Sequence, residues 1–189
     1  MKALGIMGSP RIGGNTDLLL DEALKGAQSE GADIQKIIVD AMRIEPCREY
    51  YDCLVSGECS ISDDMDDIYV KLIEADLVII ASPMFFYGIT AQLKALIDRC
   101  QALWSRKYYL KRTIGRPGRK CAFIGVGATR GKNLFQGSIL VMKYFCRALD
   151  AEYAGELLIR GIDQKAEIKQ HPTALQDAFN LGVKMAQST

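Results

Sequence analysis

The sequence predicts an α/β domain built on a five-stranded parallel sheet with helices on both faces. Three observations carry that prediction. Short apolar runs of strand length alternate with segments whose apolar residues recur every three or four positions. The third run, Asp76 to Ala81 (DLVIIA), is apolar at successive positions, as a central strand covered on both sides must be. The first run opens into a glycine-rich loop, GSPRIGGNT at 8–16, which leads into a leucine-rich helical segment.

Each element follows in chain order. Ala3 to Met7 is the first strand, ended by Gly8, and Thr16 to Ser29 is the first helix, with Leu18, Leu19, Ala23 and Gly26 near helical spacing. Asp33 to Val39 (DIQKIIV) is the second strand. Met65, Ile68, Leu72 and Ile73 then mark a helix behind the acidic turn DDMDD, whose four aspartates suit the positive end of a helix dipole better than a divalent metal. After the third strand, Leu93, Leu96, Ile97, Cys100, Leu103 and Trp104 read as one helix, with Thr90 placed to cap it. Cys121 to Val126 and Glu152 to Leu158 are the remaining strands, separated by a helix over Ile139 to Leu149. A last helix spans Ala174 to Met185 after Pro172, and the lone histidine, His171, reads as a helix-entry residue. Residues 1–189 make a single expected domain, with a cysteine-containing loop inserted at 41–62. Right-handed crossovers in such a sheet put ligands at the carboxyl ends of the strands, so the loops after strands one, three and four carry the functional question.

Composition narrows the class. About half of the 189 residues are apolar and a quarter charged, and the formal net charge is +1, so neither nucleic acid nor a membrane surface is an expected partner. No apolar run approaches the roughly 18 residues of a membrane span, and MKALGIMGSP is too short and glycine-broken for a secretion signal, so a cytoplasmic location is expected. Six cysteines in such a chain point to thiols or a metal, not to disulfides. Acidic residues gather at 58–76 and basic ones at 106–120, and both clusters read as solvated faces and loops. The basic segment is also placed to attract an extra phosphate on a nucleotide.

The first loop nearly matches a nucleoside-triphosphate loop, G-x-x-x-x-G-K-S/T, but Gly14 and Asn15 stand where the lysine and hydroxyl belong. What remains suits one terminal phosphate. Backbone amides and the helix dipole attract the anion, Ser9, Asn15 and Thr16 offer side-chain donors, and Arg11 offsets charge with its planar fork. In the loop ASPMFFYGIT at 81–90, Pro83 ends the strand and Met84, Phe85, Phe86 and Tyr87 project toward the same edge, while Gly88 lets the chain turn. A flat apolar ring fits there.

GSPRIGGNT, SPMFFYGITAQLKALIDR and DDM together resemble the NADPH-dependent FMN reductase family, and in particular its iron-sulfur flavoprotein branch. That resemblance implies a flavodoxin-like three-layer sandwich. It implies FMN with its phosphate at Ser9, Arg11, Asn15 and Thr16 and its ring beside Pro83 to Gly88. A third flavin-facing loop, GVGATRG at 125–131, is implied to contribute Gly127 and Ala128. A homo-oligomer, dimer or tetramer, is also implied, with Trp104, Tyr108 and Tyr109 as candidate contacts.

The same branch places four cysteines between the second strand and second helix. Cys47, Cys53 and Cys59 match the first, third and fourth, and Tyr50 occupies the second. A 4Fe-4S cluster takes four thiolates. Three readings stay open: a cluster completed by a non-cysteine ligand, one completed by a cysteine from elsewhere, and a loop whose thiols carry no metal. Zinc is disfavoured because no histidine lies nearby, and Cys100, Cys121 and Cys146 read as buried small hydrophobes.

No arrangement of serine, cysteine or carboxylate suggests hydrolysis, which suits a flavin enzyme, where the cofactor carries the chemistry. The expected activity passes hydride from NADH or NADPH to flavin N5, and then electrons to a quinone, flavin, metal or protein acceptor. The alternative is an iron-sulfur flavoprotein that exchanges electrons with a protein partner and uses no pyridine nucleotide. A blander alternative is a module that holds FMN without turnover.

Overall fold

The computed structural model describes residues 1–187. Five strands, β1 (Lys2–Met7), β2 (Asp33–Ile38), β3 (Leu77–Pro83), β4 (Lys120–Gly127) and β5 (Glu152–Arg160), form one parallel sheet in the order β2-β1-β3-β4-β5. That is the flavodoxin-like order, in which the chain reverses its direction of growth between β1 and β3. The expected three-layer α/β sandwich is the fold observed.

The strands alternate their side chains between two cores. On β3, Leu77, Ile79 and Ala81 face a core shared with Leu19, Leu20, Ala23 and Leu24 of α1 (Asn15–Ser29) and with Ala178, Leu181 and Met185 of α7 (Ala174–Gln187). Val78 and Ile80 face the other core, with helices α3 (Met65–Glu74), α4 (Ala91–Arg99), α5 (Gln101–Tyr108) and α6 (Gln136–Ala148). A period of two on a strand buried on both faces accounts for the unbroken apolar run that marked it in the sequence.

The helix expected from Ile139 begins at Gln136 and the last strand runs on to Arg160, and two larger differences stand beside these shifts. The helix read over Leu93 to Trp104 breaks at Cys100, whose ψ of 4° separates α4 from α5 and leaves Arg99 at the end of α4. A one-turn helix, α2 (Cys53–Ser56), forms within the cysteine-containing loop, where local periodicity is too short to register. Trp104 stacks obliquely on Tyr108 at 5.2 Å and meets Tyr109 edge-on at 5.4 Å, so these rings first contact one another.

The basic segment is largely occupied in holding the fold. Arg106 Nε donates to Gly57 O at 2.6 Å, Arg112 to Ser56 O at 3.2 Å, and Lys107 and Arg116 pair with Asp150 and Asp76. Arg119 is buried, and its guanidinium donates to the carbonyls of Leu72, Ala75 (2.7 Å), Ile114 (3.2 Å) and Leu149 (2.6 Å). Leu72 and Ala75 close α3 and Leu149 closes α6, so one cation satisfies carbonyls that two helix ends leave without partners. Burial pushes the Arg119 pKa down from its ordinary value, the opposing pull coming from charges nearby. Arg119→Met is expected to lower the unfolding free energy by roughly 3 kcal/mol, read by urea denaturation, because buried carbonyls lose charged donors. A loss below ~1 kcal/mol would show that water takes the arginine's place.

Candidate functional site

The carboxyl ends of β1, β3, β4 and β5 border one cleft. Its two principal loops are tied together by Thr90. The Thr90 hydroxyl donates to Gly8 O at 2.6 Å and accepts from Leu93 N at 3.3 Å, so it caps α4 as the sequence suggested and also anchors the loop after β1. Gly8 N donates to Ala81 O at 2.8 Å, and a β-carbon on Gly8 would lie 2.8 Å from Leu93 Cδ2 and 3.0 Å from Ala81 O, so a larger residue would push the loop away from β3 and α4.

The first loop is organised around its own donors. Ser9 is buried, and its Oγ accepts from Arg11 N at 3.1 Å, leaving the hydroxyl proton to donate. Gly13 adopts the left-handed conformation (φ 69°) and donates its N–H to Asp17 Oδ2 at 2.7 Å. Gly14 then begins α1 with no side-chain cap. The amides of Asn15, Thr16 and Asp17 open the helix and have no intrahelical acceptor. The Asp17 carboxylate, which would oppose an anion here, is offset by Lys36, which also reaches Asp21 at 2.5 Å. Partial burial works against the Lys36 charge, but hydrogen bonds to Asp17 and Asp21 hold its pKa above the ordinary value.

The second loop is strained. Phe85 and Gly88 exchange two backbone hydrogen bonds of 2.9 Å each, closing a two-residue turn. Its central residues, Phe86 (φ 49°) and Tyr87 (φ 62°), are both left-handed. Such turns favour Asn-Gly, and an aromatic residue in this region costs on the order of 1–2 kcal/mol. Phe86 is fully exposed at the tip, while the Tyr87 ring packs against Gly131. Met84 lies on the cleft floor, its N–H donating to Val126 O at 2.8 Å.

The cleft, of about 90 Å³, is lined by Ser9, Arg11, Asn15, Thr16, Pro83, Met84, Phe85 and Ala128 among the residues expected. Phe86, Tyr87, Gly88 and Gly127 do not line it: the first three form the turn, and Gly127 O accepts from Gly161 N at 2.8 Å. The Asn15 side chain is turned away from the role expected of it. Its Nδ2 donates to Gln164 O at 2.8 Å and its Oδ1 accepts from Ile168 N at 3.0 Å, so Asn15 offers the cleft its backbone amide instead. Pro10, Gly14, Val126, Ile162, Asp163 and Lys165 complete the wall and were missed. The usable signal was topological: the carboxyl edge of a parallel sheet includes the loop after β5, here RGIDQK.

Cys47, Cys53 and Cys59 line a separate cavity of about 480 Å³ with Tyr50, Tyr51 and Asp98. They are free thiols. Cys47 is exposed, Cys53 Sγ accepts from Ser105 Oγ at 3.7 Å, and Cys59 Sγ accepts from Arg99 Nε at 3.2 Å. Among the described residues, no three cysteine, histidine or carboxylate side chains are gathered as a metal-ligand set. The arrangement therefore does not fit a 4Fe-4S cluster, because Cys53 and Cys59 are held by different partners, Cys47 is exposed, and Tyr50 stands in the second of the four cysteine positions.

Arg99 organises this loop. It is buried against Asp63, with both side chains inaccessible, and pairs at 2.6 Å. Further donations reach Glu45 O at 2.9 Å and Ile61 O at 2.8 Å. Burial opposes the Asp63 charge, but the Arg99 hydrogen bond and the amides of Glu45 and Met65 hold its carboxyl below the usual range. Asp63 thus anchors the cysteine loop, and Asp64 accepts from Arg43 N at 2.7 Å, leaving only Asp66 and Asp67 in the first turn of α3 for the dipole role.

The model for the NADPH-dependent FMN reductase family matches residues 1–143. An iron-sulfur flavoprotein of Archaeoglobus fulgidus is 43% identical over 99 residues, covering 52% of this chain and 45% of that protein. An iron-sulfur flavoprotein of Methanocaldococcus jannaschii is 40% identical over 130 residues, covering 69% of this chain and 64% of that protein. The chain thus spans about half to two thirds of the length of these curated relatives. Among solved structures, an FMN-dependent NADH-azoreductase from Bacillus anthracis in complex with FMN superposes with a TM-score of 0.73 at 15% identity, over 98% of this chain and 100% of the other. An archaeal flavodoxin gives 0.58 at 18% identity, over 99% and 97% of the two chains. These two likenesses show the fold. The family match runs through β1, its loop, β3, its loop and β4, the elements that build most of the cleft, and on that match the chain belongs to the NADPH-dependent FMN reductase family.

Proposed function

We propose that this protein is an FMN-dependent oxidoreductase that takes reducing equivalents from NADH or NADPH. The observation that carries the reading is the start of α1. Fifteen helical residues end in an uncapped N-terminus against buried Ser9 and Thr16, with Arg11 and Lys165 on the same cleft wall. Backbone amides, a helix dipole and two cations suit a phosphate group, and the cleft volume suits a phosphoryl head with the ring on the rim.

Bound FMN would supply the capacity to accept hydride and pass on electrons. The protein's share is binding and orientation. Asn15, Thr16 and Asp17 present amides to the phosphate, Ser9 its hydroxyl and Arg11 its charge, while Pro83, Met84, Phe85 and Ala128 offer apolar surface to a flat ring. The tie from Thr90 to Gly8 fixes the spacing between phosphate and ring contacts. The paired hydrogen bonds between Phe85 and Gly88 hold the strained Phe86 and Tyr87 in one conformation, which favours a defined stacking geometry. A homo-oligomer with Trp104, Tyr108 and Tyr109 at the contact belongs to the same reading, and sedimentation velocity tests it.

Titration of flavin-free protein with FMN is expected to reach one flavin per chain, with riboflavin binding at least tenfold more weakly. Anaerobic mixing of the loaded protein with NADH or NADPH is then expected to bleach the flavin absorbance. Failure to bind FMN overturns the proposal. Binding without bleaching by either nucleotide favours the second reading, electron exchange with a protein partner, which the fully exposed Phe86 at the tip of the turn after β3 suits.

A further inference from the structure

The loop that follows β5 forms a fourth wall of the cleft and lies beyond the residues 1–143 that the family model matches. It is built to hold one shape. Gly161 (φ 74°) turns the chain out of β5, and the N–H groups of Gly161 and Ile162 donate to Gly127 O. The Glu167 carboxylate accepts from Asp163 N and Gln164 N at 2.8 Å each, and these bonds depress its pKa. The Asn15 amide closes the ring by bonding both Gln164 O and Ile168 N, across about 150 residues of sequence. Ile168 is fully buried beneath it. The result places Lys165 over the glycines of the first loop, its Cε 3.8 Å from where a β-carbon on Gly13 would stand.

We propose that Lys165 is the second cationic contact of the FMN phosphate, and that Asn15 is the positioning residue that holds it there. The inference rests on the FMN reading above. A phosphomonoester carries a charge of about −1.5 to −2 near neutral pH. The first loop supplies neutral donors but only one cation, Arg11, and Arg11 is exposed, with a weak 3.4 Å bond to Asp163 O. A dianion with three terminal oxygens leaves room for a second cation. Lys165 lines the cleft and pairs with no carboxylate among the described residues. Asp163, also on the wall, is exposed, and the Asp17 charge is already offset by Lys36, so neither neutralises Lys165. Asn15 thus acts twice, through its backbone amide on the phosphate and through its side chain on the loop that brings the lysine.

The test uses the full-length protein and measures FMN and riboflavin affinities by quenching of flavin fluorescence. Lys165→Met is expected to weaken FMN about tenfold and to leave riboflavin within about twofold, with Lys165→Arg restoring most of the loss. The steepness of the FMN salt dependence should fall in the methionine variant, because one ion pair is gone. Asn15→Ala is expected to weaken FMN as well, and adding Lys165→Met to it should cost little more, since both act on one contact. Unchanged FMN affinity in Lys165→Met overturns the inference, as does an equal loss of FMN and riboflavin. Failure of the unsubstituted protein to bind FMN at all overturns the FMN reading itself, so the two failures are distinct.

Discussion

Replacing Arg99 by leucine is expected to lower the unfolding free energy by about 3–5 kcal/mol, because it strands the buried carboxylate of Asp63. The acid response should change with it. In the native protein the Asp63 pKa lies below the ordinary carboxylate value. Its contribution is therefore fully present above the unfolded pKa, near 4, and is lost as pH falls through the folded value. In Arg99→Leu, Asp63 is buried without its cation, so its folded pKa rises and protonation stabilises the variant. The gap between the two proteins should accordingly narrow as pH is lowered from 7 to 4, in urea melts at fixed salt. Asp63→Leu combined with Arg99→Leu should recover part of the loss, since no charge is then left unpaired. A constant gap across that range would mean that Arg99 acts through packing alone. Loss of its bonds to Glu45 O, Ile61 O and Cys59 Sγ should also speed labelling of Cys53 and Cys59, which are half-buried in the native loop.

The second large effect lies between the first and last helices. A β-carbon on Gly182 of α7 would collide with Ala23 O of α1, and one on Gly26 of α1 would collide with Phe179 O of α7. Both obstacles are backbone, so no rotamer change relieves them, and the helices must move apart. Gly182→Ala is expected to destabilise by about 3 kcal/mol or more, at the upper end for overpacking, because Leu19, Leu20 and Leu24 already pack α1 against the sheet and leave it little room to yield. Gly31→Ala is the control. Gly31 is left-handed (φ 85°) with nothing within 4 Å of a β-carbon, so only backbone strain of roughly 1 kcal/mol should appear. Similar losses in the two variants would show that the helix contact yields easily.

Much of the frame was legible because it is local. Strand and helix periods, the cap at Thr90 and the glycines of the first loop depend on residues within a few positions of one another. The break at Cys100 was not legible, since apolar spacing runs through it without interruption. Nor was the spread of the cysteines. The resemblance to the iron-sulfur flavoprotein branch aligned Cys47, Cys53 and Cys59 as a set, whereas Arg99 and Ser105, more than 35 residues away in sequence, hold two of them apart. The basic cluster at 106–120 read as a solvated face, yet its Arg119 is buried among carbonyls, three of them supplied by the ends of α3 and α6.

The amino-acid sequence by itself determined the order of elements, the burial of both sheet faces and the two loops that open the cleft, because periodicity and turn chemistry are written in neighbouring residues. Only the tertiary structure decided that Asn15 serves the loop after β5, that Lys165 joins the cleft, and that Arg99 grips the cysteine loop. Those assignments depend on which donor meets which acceptor after the sheet has brought distant strand ends together, and no local pattern records that meeting.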